Sequence, residues 1–385
     1  MANILIRAPL LTQSGYGVHS RQIFRWAISR GHNVIVQLLP WGNTPWYVNS
    51  ESLDGLVGEI MKRSSPPNIP FDMSIQVQLP NEWDPKLAKI NVGVTAAVET
   101  DICNKEWITC CNKMDKIIVP SKFTKNVLQN SGYDKAEVIP EGFPDSILEI
   151  SSSTKQLPLS FKTSFNYLLY GQITSNDPAA DRKNTFNQIK WFCETFKGRK
   201  DTGLIIKTNS SRNSTVDRKL TYRSLKGLVN EARGGNKYPK VYLLHGHLSE
   251  KEVASLFNNK KIKCLLAATR GEGFGLPILE AAASSVPIVA TNWSGHLDFL
   301  GKDNWQKVSY NLVDVPENRI DNRIFVPGSK WADPHEESFK TMIKNVRVDY
   351  PSCRKKAKII SSKVTKSHNF ESIAKLYDEK LNIIL

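Results

Sequence analysis

The sequence contains no apolar run approaching the ~18–20 residues that span a bilayer. It also has no internal repeat at solenoid period and no low-complexity tract, which excludes repeat and disordered architectures. Its opening, MANILIRAPLL, is interrupted by Arg7 and Pro9 and has no small-residue cleavage site, so it does not read as a signal peptide. A soluble, cytoplasmic protein is expected. Cysteine is scarce: Cys103, Cys110, Cys111, Cys193, Cys264 and Cys353 form no C-x-x-C pair. That excludes a zinc knuckle and a disulfide framework and leaves free thiols in a reducing compartment. The seven histidines show no H-E-x-x-H spacing, and neither a G-x-x-x-x-G-K-[ST] loop nor a G-x-S-x-G elbow occurs. No bound metal is expected.

What is present fits an ordinary globular chain. At 385 residues, with 40% hydrophobic and 23% charged residues, there is apolar material for two domains. The net charge of +15 is unevenly placed. Residues 1–150 hold 14 Lys and Arg against 15 Asp and Glu, so the remainder carries +16. A nucleotide diphosphate needs only a few cations, so this excess admits a larger anionic partner: nucleic acid, an anionic membrane face or an acidic glycan. The bland reading is a solvated basic surface.

Short runs rich in β-branched residues alternate with helical periods. Residues 3–7, 33–38, 73–79, 90–94, 116–119 and 137–139 read as strands, with helices at 19–30 and, after the cap Pro120–Ser121, at 121–131. A polar stretch at 150–158 reads as a linker. The pattern then restarts, with strands at 166–170, 203–207, 241–244, 263–268 and 287–290 and helices at 185–197, 249–258 and 277–284. Residues 208–240 form a basic excursion around one helix, and the tail from Pro351 is helical. Strand–helix alternation predicts α/β, Rossmann-like doubly wound domains, here 1–158 and 159–350, with 351–385 a helical segment crossing back to the first.

Four segments carry chemistry. In RGEGFGLPILEAAASSVPIVATNWSGHLDFL (270–300) a buried strand ends, glycines 271, 273 and 275 follow, and a helix starts near Pro277. Such a turn brings free N–H groups and a helix dipole to a phosphate or sugar oxygen. Glu272 on the loop and Glu280 one turn into the helix can reach two ends of one ligand. In YGQITSNDPAADRKNT (170–185) a strand runs into a glycine, and the loop delivers Arg182 and Lys183 to a helix start, where cations neutralise a diphosphate. QSGYGVHSRQIF (13–24) repeats the strand, Gly-rich turn and helix with Gly15, Tyr16 and Gly17. GVTAAVETD (93–101) leaves a strand at its C-terminal end, where doubly wound sheets bind ligands, and offers Glu99 and Asp101.

The run EGFGLPILE, with its flanking strand, its small-residue helix and the following Ser294-Gly295, resembles the signature of retaining GT-B glycosyltransferases of the GT4 type. The resemblance covers most of the chain and implies two Rossmann-like domains facing across a cleft, with a nucleotide-diphosphate sugar as donor. It implies that Glu272 contacts the donor sugar and that Gly273, Phe274, Gly275 and Leu276 hold sugar and phosphate. Glu280 is then the residue that binds the nucleotide ribose. Arg182 and Lys183 match the diphosphate-binding element, and Gly15, Tyr16 and Gly17 the flexible loop after the first strand. Gly246, bracketed by His245 and His247, lies where donor-base contacts fall. Two positions depart from the pattern. The family's Arg after the strand glycine is Gln172 here, with Lys207 the candidate substitute. The His found in many relatives near Glu99 and Asp101, the acceptor-side candidates, is missing. The implied reaction retains configuration without a metal, the leaving phosphate taking the acceptor proton. The segments LIRAPLLTQSGYGVHSRQIFRW and LPNEWDPKLAKINVGVTAAVETD resemble glycosyltransferases carried by tailed phages, which points to DNA, a surface glycan or a virion protein as acceptor. An epimerase or phosphorylase on the same scaffold, or a non-catalytic nucleic-acid-binding protein, are the rival readings.

Overall fold

The computed structural model describes residues 2–64, 69–150, 157–175, 177–210 and 213–381. The chain forms two units: 1–142 with 321–329 and 368–385, and 143–320 with 330–367.

The first unit begins with β1 (Asn3–Ala8), α1 (Gly15–Ser29), β2 (Asn33–Leu38), α2 (Leu56–Lys62) and β3 (Met73–Val77). It continues through β4 (Ile90–Val94), α3 (Lys105–Cys111), β5 (Lys116–Val119), α4 (Lys122–Asn130) and β6 (Glu137–Val138). The strands pair in the order β2-β1-β3-β4-β5-β6, every pair parallel. Nearly all residues of β3 and β4 are buried, as a sheet covered on both faces requires. Ile23, Phe24 and Ala27 on α1 join Ile4, Ile6, Ile75 and Val92 in one core.

The second unit contains α5 (Ser146–Glu149), β7 (Phe165–Tyr170), α6 (Thr185–Thr195), β8 (Thr202–Thr208), α7 (Thr215–Arg233), β9 (Lys240–His245) and α8 (Glu250–Phe257). It goes on with β10 (Ile262–Ala267), α9 (Leu276–Ala283), β11 (Ile288–Thr291), α10 (Leu297–Leu300) and β12 (Gln306–Val308). β13 (Tyr310–Asp314) and β14 (Lys330–Pro334) form a two-stranded antiparallel ribbon before α11 (Glu336–Val348) and α12 (Tyr350–Ser367). The main sheet is again all parallel, in the order β12-β11-β10-β7-β8-β9. Two cores cover its faces. Val253, Leu256, Leu279 and Ile360 lie in one; Ile189, Phe192, Leu225 and Phe339 lie in the other. The α/β, doubly wound expectation therefore holds for both units.

α13 (Phe370–Leu381) belongs to the first unit. Its Tyr377 hydroxyl lies 3.1 Å from His19 Nε2, and Asp378 accepts from Trp26 Nε1 at 2.7 Å and pairs with Arg30. The segment expected at 351–385 is thus two helices assigned to different units, and residues 143–150 go with the second unit although the expected boundary was 158. Most of the expected linker, 151–156, lies outside the described residues.

One element needs correction. The helix expected from His19 starts at Gly15, so Gly15, Tyr16 and Gly17 are its first turn and not a free loop. Ser14 is the cap: its hydroxyl accepts from Gly17 N–H at 3.0 Å. Glycine at 17 reflects close approach, because a Cβ there would lie 2.2 Å from the Thr12 carbonyl oxygen. Among the described residues no helix is long and apolar enough to cross a membrane.

Candidate functional site

In an open doubly wound sheet the chain changes direction between two neighbouring strands, and the loops leaving their C-terminal ends part there to make a crevice. In the second unit β7 leads outward through β8 to β9, and β10 leads the other way through β11 to β12, so the switch lies between β7 and β10. The loop after β7 carries Arg182 and Lys183, and the loop after β10 carries Gly271 to Gly275.

Asp181, fully buried, shapes the first loop. Its carboxylate accepts from the N–H groups of Thr174, Lys183 and Thr185 and from the Thr174 hydroxyl. Asn184 follows in the left-handed region and donates from its amide to Ala268 O. Gln188 donates to Lys183 O and accepts from Ala268 N–H. The two loops are thereby locked together, and Arg270 N–H donates to Arg182 O at 2.8 Å.

Held in this way, the cations converge on Glu272. Lys183 Nζ is 2.7 Å from both carboxylate oxygens, and Arg182 lies 3.9 Å from one of them while donating to Gly271 O at 3.0 Å. Glu272 is 7% exposed. Burial pushes its carboxyl up, but Lys183 and Arg182 outweigh that, and it lies below the usual carboxylate range. A second clamp holds its backbone: Glu272 N–H donates to Ser294 Oγ at 3.0 Å, and Gly295 N–H donates to Glu272 O at 2.9 Å. Next to it His296 is fully buried, with Nε2 2.8 Å from Thr291 O, and burial lowers its pKa.

α9 begins beyond this cluster. Its cap, Gly275, has φ +100°, a conformation other residues reach only with strain, and supplies no side chain to the first turn. No acidic residue sits in that turn, which suits an anion at the positive end of the helix. Pro277 falls in the turn, as the sequence predicts, although the helix opens one residue earlier, at Leu276. Gly273 and Phe274 are buried in the loop.

Lys207 at the end of β8 is buried, not open to the crevice. Its ammonium donates to Gly246 O at 2.6 Å and lies 5.2 Å from the centre of the Tyr170 ring. Burial pushes it down to about 8, opposed by the charge of Glu280. It braces the turn where Gly246 N–H meets Thr208 O. Half-buried Glu280 feels the same neighbourhood: burial and Glu250 raise its carboxyl to about 8, and Lys207 opposes them. His245 lies 3.0 Å from Ser210 Oγ, and His247 is exposed.

In the first unit the structure brings Tyr16 to the loop after β4. Its hydroxyl is 3.1 Å from Thr95 Oγ1 and accepts from Ala96 N–H at 3.0 Å, while its ring stacks on Trp41 at 3.8 Å. Burial raises the phenol, and the charges of Glu99 and Glu141 add to that effect, so Glu99 belongs to the Tyr16 neighbourhood. The Asp101 backbone carbonyl accepts from Asn130, which fixes the end of the same loop. Glu141, which the sequence did not single out, is 6% exposed with Oε2 buried and unpartnered. Burial pushes it up to about 8. Among the described residues no group of three His, Cys, Asp or Glu side chains is arranged to hold a metal ion.

Residues 236–316 match the family Glycosyl transferases group 1. That stretch includes Gly246, Glu272, Gly275 and Glu280, but neither Arg182, Lys183 nor Lys207. No curated protein matches the sequence. Solved structures do match over nearly the whole length. They include sucrose-phosphate synthase from Thermosynechococcus elongatus, 14% identical with a TM-score of 0.62, covering 100% of this chain and 99% of that one. A glycosyltransferase from Rickettsia africae is 15% identical with a TM-score of 0.65, covering 100% and 98%. The Anabaena protein HepE, solved with UDP and glucose, is 12% identical with a TM-score of 0.62, covering 99% and 100%. At these identities the likeness establishes the fold, which is GT-B.

Proposed function

We propose that the protein is a retaining glycosyltransferase that takes a sugar from a nucleotide-diphosphate donor and passes it to an acceptor hydroxyl. The observation that carries this reading is the cluster of Lys183, Arg182 and Glu272 at the switch point of the second sheet. It faces the uncapped start of α9, inside the stretch shared with the group 1 family. UDP and glucose in the HepE structure support a nucleotide sugar as the ligand class for this fold.

The chemistry follows from the charges. The two cations neutralise a buried carboxylate. A donor diphosphate offers them a second anion, so they balance the charge that grows on the leaving group as the glycosidic bond lengthens. That interaction is stronger in the transition state than in the ground state, which is what accelerates the step. Glu272, held at its backbone by Ser294 and Gly295, accepts hydrogen bonds from hydroxyls of the donor sugar, and Glu280 takes the ribose. The acceptor oxygen bonds to the anomeric carbon on the face from which the diphosphate departs, the glycosidic C–O bond breaks, and the leaving phosphate takes the acceptor proton. Front-face attack retains configuration, and the reading calls for no metal. The +16 of residues 151–385 supports a polyanionic acceptor, with DNA the first to screen.

The test is a thermal-shift panel of nucleotide sugars on the wild type and on Glu280→Ala. A donor at about 100 times its Kd adds about 2.7 kcal/mol of stability. One donor should stabilise the wild type and lose that effect in the variant. If no nucleotide sugar shifts the wild type, the transferase reading falls.

A further inference from the structure

α7 is a 19-residue helix whose inner face is settled: Thr221, Leu225 and Val229 are buried, the last two in the core shared with α6. Its opposite face is unusual for a solvated helix. Val216 and Leu220, one turn apart, are 64% and 57% exposed. Lys219, Arg223 and Lys226, all exposed, flank them on that face. Asp217, the acidic residue in this part of the helix, is used in the capping box with Ser214.

Cations alone would suit any polyanion. Projecting aliphatic side chains among them narrow the choice. A nucleic-acid backbone gives phosphate partners to the three cations but no apolar contact for Val216 and Leu220. A second copy of the chain would set this face against its own positive charge. An anionic phospholipid surface satisfies both halves, headgroups pairing with the cations and the aliphatic groups entering the acyl boundary. We infer that the Val216–Lys226 stretch of α7 docks the protein peripherally on anionic lipid membranes. The inference is independent of the donor site.

The experiment is co-sedimentation of the full chain with phosphatidylcholine vesicles, with and without phosphatidylglycerol, at low and high salt. Binding is expected only to the anionic vesicles and should weaken with salt. Neutralising Lys219 or Arg223 to Gln should lower partitioning about fivefold each. The decisive variant is Val216→Asn with Leu220→Asn, which changes no charge and alters only exposed positions. It should lower partitioning at least about tenfold, with an unchanged melting temperature. Equal binding by that variant, or no binding to anionic vesicles, overturns the inference. So does a dimer in solution that the variant dissociates, or duplex DNA binding that competes with the vesicles and ignores the variant.

Discussion

Replacing Lys183 by Met probes the arrangement on which the site depends. Glu272 has 10% of its side chain exposed and Lys183 18%, and the ammonium meets both carboxylate oxygens at 2.7 Å. Removing one partner of such a buried pair costs about 3–5 kcal/mol, because the other charge is left in a poorly solvated place. Arg182 remains at 3.9 Å, so the lower end, about 3 kcal/mol, is expected. Adding Glu272→Gln removes the stranded charge and should restore all but about 1 kcal/mol. The assay is urea denaturation of both variants and the wild type, read by a probe in the second unit. The pH dependence has a definite sign. In the wild type Glu272 lies below its ordinary value, so its contribution is present above about pH 4.5 and lost as pH falls through the native value. In Lys183→Met burial gains on the remaining attraction and the native carboxyl rises. The gap between wild type and variant should therefore be small in acid, widen with pH and level off near neutrality. A cost under about 1 kcal/mol at pH 7, or a double variant no more stable than the single one, would refute this reasoning.

Three further outcomes follow from other parts of the structure. Glu141→Gln removes a buried carboxyl pushed up to about 8; as pH rises from about 4.5 to about 8, wild-type stability should fall by up to a few kcal/mol more than the variant's, Glu280 giving both the same remaining slope. Melting curves across that range check the slope. Gly17→Ala sets a Cβ 2.2 Å from the Thr12 carbonyl oxygen, which should cost about 1–3 kcal/mol in chemical denaturation. Asp378→Ala leaves the buried Trp26 N–H without its 2.7 Å acceptor and takes from Arg30 one of its two carboxylates, Glu371 remaining at 3.2 Å; a loss of about 1–3 kcal/mol is expected, with a change in tryptophan fluorescence.

The parts of this fold legible in the sequence are those that depend on local pattern. Fully buried parallel strands such as Leu204–Ile206 and Leu265–Ala267 are unbroken apolar runs, and Ser121 announces α4 by capping it. The GEGFG turn was readable because glycine, proline and the small-residue helix follow one another within a few residues. The start of α1 was not, because two glycines of low helix propensity mask a helix that Ser14 caps. The β13–β14 ribbon escaped notice because its strands are short, and β13 is largely exposed and shows no alternation of buried residues. The pairing of Lys183 with Glu272 joins residues 89 positions apart, and local spacing does not encode such a contact. Burial of Lys207 on Gly246 O was hidden for the same reason. Asp181 had a local signal, an acidic residue just before a helix, which the adjacent cations Arg182 and Lys183 overshadowed.

The central claim is that Glu272 and its two cations act on a nucleotide-sugar donor. It is tested most directly by measuring nucleoside diphosphate release from a donor found in the thermal-shift panel, with acceptors screened in parallel. Wild type, Glu272→Gln and Lys183→Met should be compared at saturating donor. The account predicts acceptor-dependent release by the wild type and a loss of at least about a hundredfold in both variants. Release at the wild-type rate by either variant would contradict it.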